Sequence, residues 1–126
     1  MKPIDTSYSQ IEKLKSKKLI TQLFEKGKTV TIYPLKLVYL ETQFEDNALL
    51  KTGVNVSKRN FKKAVDRNRI KRLMREAYRL NKAHYFSNTS KHYAFMILYI
   101  DKEMPNLKFL DSKMKLLFKK FKEKVV

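Results

Sequence analysis

The first periodic pattern of apolar side chains follows a polar, lysine-rich lead-in at the start of the chain. From Lys17 to Lys26 the apolar positions recur at helical spacing, on the stripe Leu19, Ile20, Leu23 and Phe24. Ser16 precedes this stripe as a candidate N-cap, and Gly27 follows it as a candidate left-handed stop. The pattern predicts a helix over Lys17–Lys26 and a flexible or extended basic arm over residues 1–15.

Two later segments alternate between apolar and polar residues with the period of a strand. The first is Leu35–Glu41 and the second is Leu50–Ser57, and the polar stretch 42–48 between them predicts a hairpin connection. One face of this pair is expected to join the core. The other face of the second strand carries Gly53, Asn55 and Ser57, which leave room for the backbone of a ligand.

Helical spacing returns after position 64. A helix is predicted over about residues 64–81, with the apolar stripe Ile70, Leu73, Met74, Ala77 and Leu80. Residues 92–100 are almost continuously apolar and predict a strand buried on both faces. A final amphipathic helix is predicted after an Asn106 cap, with the apolar positions Leu107, Leu110, Met114, Leu117, Phe118 and Phe121. Phe61 and Tyr78 are expected to be core residues.

The predicted order of elements is α-β-β-α-β-α in 126 residues, a length typical of one domain. Helices and strands are mixed, and the strands are too few to close a barrel. The sequence therefore predicts an α+β fold, arranged as a two-layer sandwich, in a single domain over residues 1–126.

Charge is the property that points most directly to a partner. The chain has 29 Lys and Arg residues against 12 Asp and Glu, a net charge of +17. Such a surface favours a polyanion, which could be RNA, DNA or an anionic membrane. The absence of cysteine and the spacing of His84 and His92 argue against disulfides, thiol chemistry and a histidine metal site. The longest apolar run, residues 93–100, is too short to span a membrane, so a cytoplasmic location is expected.

The arginines are concentrated in one part of the chain. Positions 58–79 hold ten basic and two acidic residues, a net +8, and all six arginines of the chain lie there. At ~100° per residue, one helical stripe opposite the apolar one collects Arg67, Asn68, Lys71, Arg72, Arg75 and Arg79. Like charges four residues apart destabilise an isolated helix, whereas planar guanidinium groups in a row suit phosphates. The stripe therefore predicts a binding face for a nucleic acid.

Two other interpretations of this stripe remain open. A basic helix face can be merely solvated, although the segregation of arginine and the lack of interleaved glutamates disfavour this reading. A basic amphipathic helix can also lie on a membrane surface, but the core needs the apolar stripe of this helix.

The segment from Gly53 to Arg79 resembles a known family. It reads GVNVSKRNFKKAVDRNRIKRLMREAYR. It is similar to the signature of the bacterial ribonuclease P protein component at Arg67, Asn68, Arg69, Lys71, Arg72 and Arg75. The similarity extends over about residues 14–121. It implies the order α-β-β-(β)-α-β-α, with a short additional strand, and a left-handed β-α-β crossover around the arginine helix, a hand that only ~2% of such crossovers have.

The resemblance also implies a function, in which a small protein binds a large catalytic RNA and helps it remove the 5′ leader from precursor tRNA. The implied contacts to the catalytic RNA are Lys58, Arg59, Lys62, Lys63, Arg67, Asn68, Arg69, Lys71, Arg72, Arg75 and Arg79. The implied leader cleft, between the first helix and the open sheet face, comprises Ile20, Phe24, Lys36, Val38 and Asn55. The family commonly has aromatic residues at positions 20 and 38, so phosphate contacts are expected to matter more here than stacking.

The resemblance assigns the chemistry to the RNA, which holds the Mg²⁺ ions together with the substrate. Asp66 and Glu76 each lack the companion acid that a protein-bound metal centre would need, so neither catalytic residues nor metal ligands are predicted. The predicted partners are the catalytic RNA and precursor tRNA, with no membrane and no protein partner required. The main alternative is a non-catalytic ribosomal or structural RNA-binding protein. A membrane-surface binder and a protein-only nuclease are further alternatives.

Overall fold

The computed structural model describes residues 13–44, 50–86 and 90–125. Within these ranges the chain forms three helices and four strands, in the order α-β-β-β-α-β-α. The helices are α1 (Lys17–Lys26), α2 (Ala64–Phe86) and α3 (Leu107–Val125), and the strands are β1 (Lys28–Ile32), β2 (Leu35–Glu41), β3 (Leu50–Val56) and β4 (Tyr93–Tyr99). The predicted α+β class is confirmed. The additional strand implied by the resemblance is β1.

The four strands form one sheet in the order β1-β2-β4-β3. Strands β1 and β2 form an antiparallel hairpin, and β2 also pairs with β4 in antiparallel fashion. The prediction of a hairpin between β2 and β3 is wrong because β4 lies between them. Both strands alternate as a hairpin pair would, but local alternation does not show which strand is the neighbour. Residues 45–48, which are most of the predicted connection over 42–48, lie outside the described residues.

Strands β3 and β4 are parallel neighbours, and α2 connects them. A parallel pair requires such a crossover because the chain must return to the same end of the sheet. The β-α-β unit implied by the resemblance is therefore present. It places the start of α2 immediately beyond the carboxyl end of β3.

The larger core lies between the sheet and the pair α2 and α3. Alternate residues of every strand point into it, and it contains a cluster of aromatic rings around Phe86, Phe95, Phe118 and Phe121. The expected core residues Phe61, Tyr78, Phe118 and Phe121 are all buried. The Asn106 side chain accepts a hydrogen bond from the Phe109 N–H at 2.8 Å, which confirms the predicted cap of α3.

Helix α1 packs on the opposite face of the sheet, over the small cluster Leu14, Leu23, Val38, Ala94 and Met96. Its bounds match the prediction, and Ser16 Oγ accepts a hydrogen bond from the Leu19 N–H at 3.2 Å. Leu14 falls in the arm predicted over residues 1–15, but its side chain is buried in this cluster. Residues 1–12 of that arm lie outside the described residues.

Gly27 ends α1 in extended backbone, with φ −69° and ψ 156°, so the predicted left-handed stop is wrong. Its lack of a side chain has another cause. A Cβ at this position would lie 2.2 Å from the Leu23 carbonyl oxygen and 2.9 Å from Val38 Cγ1. Glycine therefore allows the chain to turn from α1 into β1 directly against the sheet.

The buried stripe of α2 differs from the predicted one in its second half. Leu80 is 48% exposed, whereas Tyr78 is fully buried against Phe118. The Asn81 amide, also buried, donates a hydrogen bond to Asp111 of α3 at 2.7 Å. The shift arises because this half of α2 packs against α3 as well as the sheet, which a single-helix stripe does not show.

Candidate RNA interface

A short loop connects β3 to α2 and carries four basic side chains. Its backbone turns at Ser57, whose hydroxyl accepts from the Arg59 N–H at 3.1 Å. Phe61 is buried against the ring of Tyr99, and the Asn60 amide donates to the Ile100 carbonyl at 3.4 Å. These contacts fix the loop to the end of β4. They leave exposed the cations Lys58, Arg59, Lys62 and Lys63.

Arg67 fastens this loop to the first turn of α2. Its Nη1 donates to the Phe61 carbonyl oxygen at 2.8 Å and to the Lys62 carbonyl oxygen at 2.9 Å. The side chain is half-buried rather than fully exposed on the predicted stripe. Arg67 thus combines two properties, because it shapes the loop through Nη1 and keeps its positive charge beside the other cations.

The rest of the predicted stripe stands free on the first half of α2. Its exposed members are Asn68, Arg72 and Arg75, and Lys71 is half-buried beside them. Arg69, which is predicted as an RNA contact but lies outside the stripe, is also exposed. None of these four cations forms an ion pair with an acid among residues 13–44, 50–86 and 90–125. Their charge is therefore uncompensated at short range, which favours an anionic partner.

Arg79 differs from the other arginines because it is paired within the helix. Its Nε donates to Glu76 Oε2 at 3.0 Å, and its Nη2 contacts the other carboxylate oxygen. The hydrogen bond from Arg79 lowers the pKa of Glu76 below its ordinary value. Of the eleven predicted contacts to the catalytic RNA, Arg79 is the one whose guanidinium already forms a bidentate pair, so the free cationic surface ends at Arg75.

The predicted leader residues lie on the α1 face of the sheet. Lys36 and Asn55 are both register partners of Leu98, so these three side chains form one row across β2, β4 and β3. Helix α1 does not bury this row, since Asn55 is exposed and Lys36 is half-buried. The row is an open, mixed polar and apolar surface of the kind that an extended single strand needs.

The other three predicted leader residues differ in how accessible they are. Phe24 is 49% exposed at the end of α1, so its ring is available for stacking. Ile20 is half-buried, and Val38 is buried in the cluster beneath α1. The structure therefore offers Phe24, Lys36 and Asn55 to a ligand, whereas Val38 supports the floor of the cleft.

A cleft of about 430 Å³ lies at the β3 edge of the sheet and joins the two predicted surfaces. Ile20 of the leader set and Arg75 of the arginine set both line it, together with Gly53 on its floor. A Cβ on Gly53 would lie 3.0 Å from Met96 Cε. Because glycine has no side chain, the backbone of β3 itself forms this part of the cleft floor.

Lys13 and Lys15 also line this cleft, and the sequence prediction did not include them. Residue 13 is held in place because it forms a bridge with Thr52 of the edge strand, and the Leu14 N–H donates to the Thr52 carbonyl at 3.3 Å. The lysine-rich composition around them does not predict a fixed position. The alternation of Lys13, Leu14 and Lys15 is the one available signal, since it is typical of a strand with one buried side chain.

The sequence matches a known protein family over most of its length. The family model for Ribonuclease P matches residues 9–122. A ribonuclease P protein component of Porphyromonas gingivalis is 35% identical over 118 residues, covering 89% of this chain and 84% of that protein. The chain belongs to the ribonuclease P protein family. A second relative in this family, from Chlorobium phaeobacteroides, is 36% identical over 112 residues, covering 79% of this chain and 77% of that protein.

Solved structures of the ribonuclease P protein family share the fold. The protein from Thermotoga maritima aligns with a TM-score of 0.67 at 21% identity, over 86% of this chain and 96% of that one. The protein from Staphylococcus aureus aligns with a TM-score of 0.66 at 18% identity, over 86% of this chain and 93% of that one. The sheet with its crossover helix is therefore an architecture that this chain shares with the family.

Within residues 13–44, 50–86 and 90–125, no three histidine, aspartate or glutamate side chains come together as a possible metal site. Among the helices of the same ranges, none has the length and apolar character needed to cross a bilayer.

Proposed function

We propose that this chain is the protein subunit of a ribonuclease P, which binds the catalytic RNA and the 5′ leader of precursor tRNA and promotes removal of that leader. Two observations support this proposal together. One is membership of the family, and the other is the arginine surface, which we define as the unpaired cations Arg69, Lys71, Arg72 and Arg75 of α2. The arginine surface carries it, because a fold alone does not specify a partner. The cytoplasm is the location we propose with it.

In this proposal the two faces of the molecule have different tasks. The loop over residues 57–63 and the first half of α2 bind phosphates of the catalytic RNA. Phe24, Lys36 and Asn55 on the opposite sheet face bind the leader through one aromatic ring, one cation and one amide. The cleft that Ile20 and Arg75 both line provides a continuous path between the two faces.

The proposal assigns the hydrolysis to the RNA, where bound Mg²⁺ would supply a nucleophile and would stabilise the negative charge on the phosphate. The proposal assigns no side chain of this chain as a ligand of that ion. What the protein contributes is positive charge that reduces repulsion between two RNAs, and fixed donors that orient them. Both contributions should matter most when Mg²⁺ is scarce.

Reconstitution tests the proposal. The full chain, its cognate catalytic RNA and precursor tRNA are combined at low Mg²⁺, and release of the 5′ leader is measured with protein alone as a control. We expect cleavage that requires the RNA and is stimulated by the protein. An Arg69→Ala/Arg72→Ala variant should lose the stimulation, whereas Lys108→Ala/Lys119→Ala, which removes the same charge from the exposed surface of α3, should keep it. Tight RNA binding without stimulation would instead favour the non-catalytic RNA-binding alternative.

A further inference from the structure

A second basic cleft, of about 390 Å³, lies at the end of the sheet farthest from the basic loop over residues 57–63. It opens where α1 ends and β1 begins, and the register pairs Lys28 with Tyr39 and Glu41 with Tyr93 at this end. The basic loop over residues 57–63 follows Val56, which pairs with Tyr99 at the other end of β4. The length of the sheet therefore separates this cleft from the RNA surface described above.

Two tyrosines form the inner wall of the cleft. Tyr39 is 5% exposed and Tyr93 is 4% exposed, and their rings meet edge to face with centroids 6.3 Å apart. Neither hydroxyl forms a hydrogen bond with another residue in the described part of the chain. Both residues line the open cleft, so their hydroxyls are available to donate to a molecule inside it, and a ligand that accepts hydrogen bonds suits this wall.

Both hydroxyls keep their protons at neutral pH and can therefore act as donors. Burial raises the pKa of Tyr39 above its ordinary value. Burial also raises the pKa of Tyr93, and the nearby Glu41 carboxylate raises it further. The inner wall thus presents two neutral donors rather than negative charge.

The rim of the cleft is strongly positive. Four lysines line it against the single acid Glu41, a net charge of 4 − 1 = +3, and they are Lys26, Lys28, Lys91 and Lys124. The Lys124 ammonium is held by the Thr29 carbonyl oxygen at 2.8 Å. The other three lysines form no ion pair with an acid within residues 13–44, 50–86 and 90–125. Donors inside and cations at the rim match a phosphate group.

We propose that this cleft binds a backbone phosphate of RNA, as a second RNA site distinct from the arginine surface. Glu41 favours RNA over a free phosphate ion, because a carboxylate repels an isolated anion but can accept a hydrogen bond from a ribose 2′-hydroxyl beside the phosphate. The volume is that of a site for one nucleotide-sized group. The inference rests on the proposed function, since it requires that the chain bind RNA.

The tyrosines allow a test that leaves the charge of the protein unchanged. In Tyr39→Phe/Tyr93→Phe the rings keep their place in the core and only the two hydroxyls are lost. We expect affinity for RNA to fall roughly tenfold, with an unchanged salt dependence, since hydrogen bonds to a charged group are lost but no cation is. In Lys28→Gln/Lys91→Gln the slope of log K against log salt should fall by about 1. The matched control, Lys108→Gln/Lys119→Gln, removes the same number of charges from α3. It should change the slope of log K against log salt less than Lys28→Gln/Lys91→Gln does.

A single introduced cysteine tests whether an RNA strand lies at this cleft and which RNA it belongs to, since the chain has no cysteine of its own. Lys91→Cys carrying a tethered iron chelate should cleave the RNA strand that passes the cleft, and the cut sites show whether this strand belongs to the catalytic RNA or to precursor tRNA. Thermal unfolding of the Tyr39→Phe/Tyr93→Phe variant confirms that it is folded.

The outcomes separate this inference from the function on which it depends. If the wild-type chain neither binds RNA nor stimulates cleavage, the proposed function fails. If the wild type does both and the folded double Phe variant binds equally well, only the cleft assignment is overturned. Ring resonances of Tyr93 that shift with inorganic phosphate but not with RNA would also overturn it, in favour of a small anion. Absence of cleavage from residue 91 in either RNA would do the same.

Discussion

Arg67 and Phe61 are joined by a hydrogen bond of 2.8 Å from the guanidinium Nη1 to the backbone carbonyl oxygen. The same nitrogen also reaches the Lys62 carbonyl. An arginine that the sequence places in an RNA-binding stripe is therefore also part of the structure that shapes the basic loop. Its substitution should therefore affect both stability and RNA binding, whereas substitution of an exposed neighbour should affect RNA binding alone.

Arg67→Ala should lower the free energy of unfolding by about 1–2 kcal/mol, because two carbonyls lose a charged donor. It should also weaken binding to the catalytic RNA. Arg69→Ala, which removes an exposed guanidinium two residues away, should weaken RNA binding without a change in stability. Urea unfolding and filter binding measure the two effects. Equal stability of both variants would show that the contact to the loop contributes nothing.

Gly27→Ala should destabilise the fold by about 1–3 kcal/mol, as other overpacking substitutions do. The added methyl would meet the Leu23 carbonyl, a backbone atom that cannot move without disturbing α1. Gly53→Ala is the matched comparison because its nearest neighbour is the flexible end of the Met96 side chain. The thermal midpoint should therefore fall further for position 27. The reverse order would contradict this account of the α1–β1 turn.

Phe24→Ala should weaken binding of precursor tRNA more than that of mature tRNA, since only the former carries the leader. Loss of one stacking contact is worth ~1–3 kcal/mol. Stability should change little because the ring is half-exposed. Leu23→Ala, at the fully buried neighbouring position, should instead cost about 2–5 kcal/mol of stability. Equal losses on both tRNAs would show that Phe24 does not contact the leader.

The salt dependence of RNA binding should separate the arginines of α2. Arg75→Gln is expected to lower the slope of log K against log salt by ~0.7–0.9, the value for one phosphate contact. Arg79→Gln should lower it less, because Glu76 already compensates that guanidinium. Glu76→Gln should raise RNA affinity by freeing Arg79. Identical slopes for Arg75→Gln and Arg79→Gln would argue against a paired role for Arg79.

Stability at high pH should depend on Tyr99. Burial raises its pKa to about 12, with a further contribution from Asp101, and its hydroxyl donates to the Glu103 carbonyl at 2.6 Å. A pKa raised in the folded state gives a contribution that is complete below the ordinary value of 10.0 and is lost as pH rises toward about 12. The free energy of unfolding should therefore fall more steeply across this interval in the wild type than in Tyr99→Phe. Parallel curves for the two proteins would contradict the assignment.

The sequence predicted the elements well because each has a strong local signal. The bounds of α1, its Ser16 cap and the Asn106 cap of α3 follow from side chains within four residues of each other. It failed where a distant element decides the outcome. The position of β4 between β2 and β3 is one case, and the exposure of Leu80, which the predicted stripe of α2 places in the core, is another.

The candidate sites show the same difference between features set by local sequence and features set by distant residues. The arginine surface is continuous in sequence, so composition and helical spacing were sufficient to identify it. The bond from Arg67 to the loop, the fixed positions of Lys13 and Lys15 and the tyrosine cleft depend on residues that meet only after folding. Tyr39 and Tyr93 in particular look like ordinary core residues of two apolar strands, and nothing in their local sequence indicates that their hydroxyls share one cleft.

Strand β1 is at the edge of the sheet, where unpaired backbone groups can recruit a strand from another molecule. Lys120 and Lys124 of α3 donate to its Thr31 and Thr29 carbonyl oxygens at 3.1 and 2.8 Å. Two ammonium groups therefore occupy acceptors that an incoming strand would use, and their charge repels a second copy of so basic a chain. The lysine background of this chain thus also guards the open edge of its own sheet against the addition of a strand from a second copy.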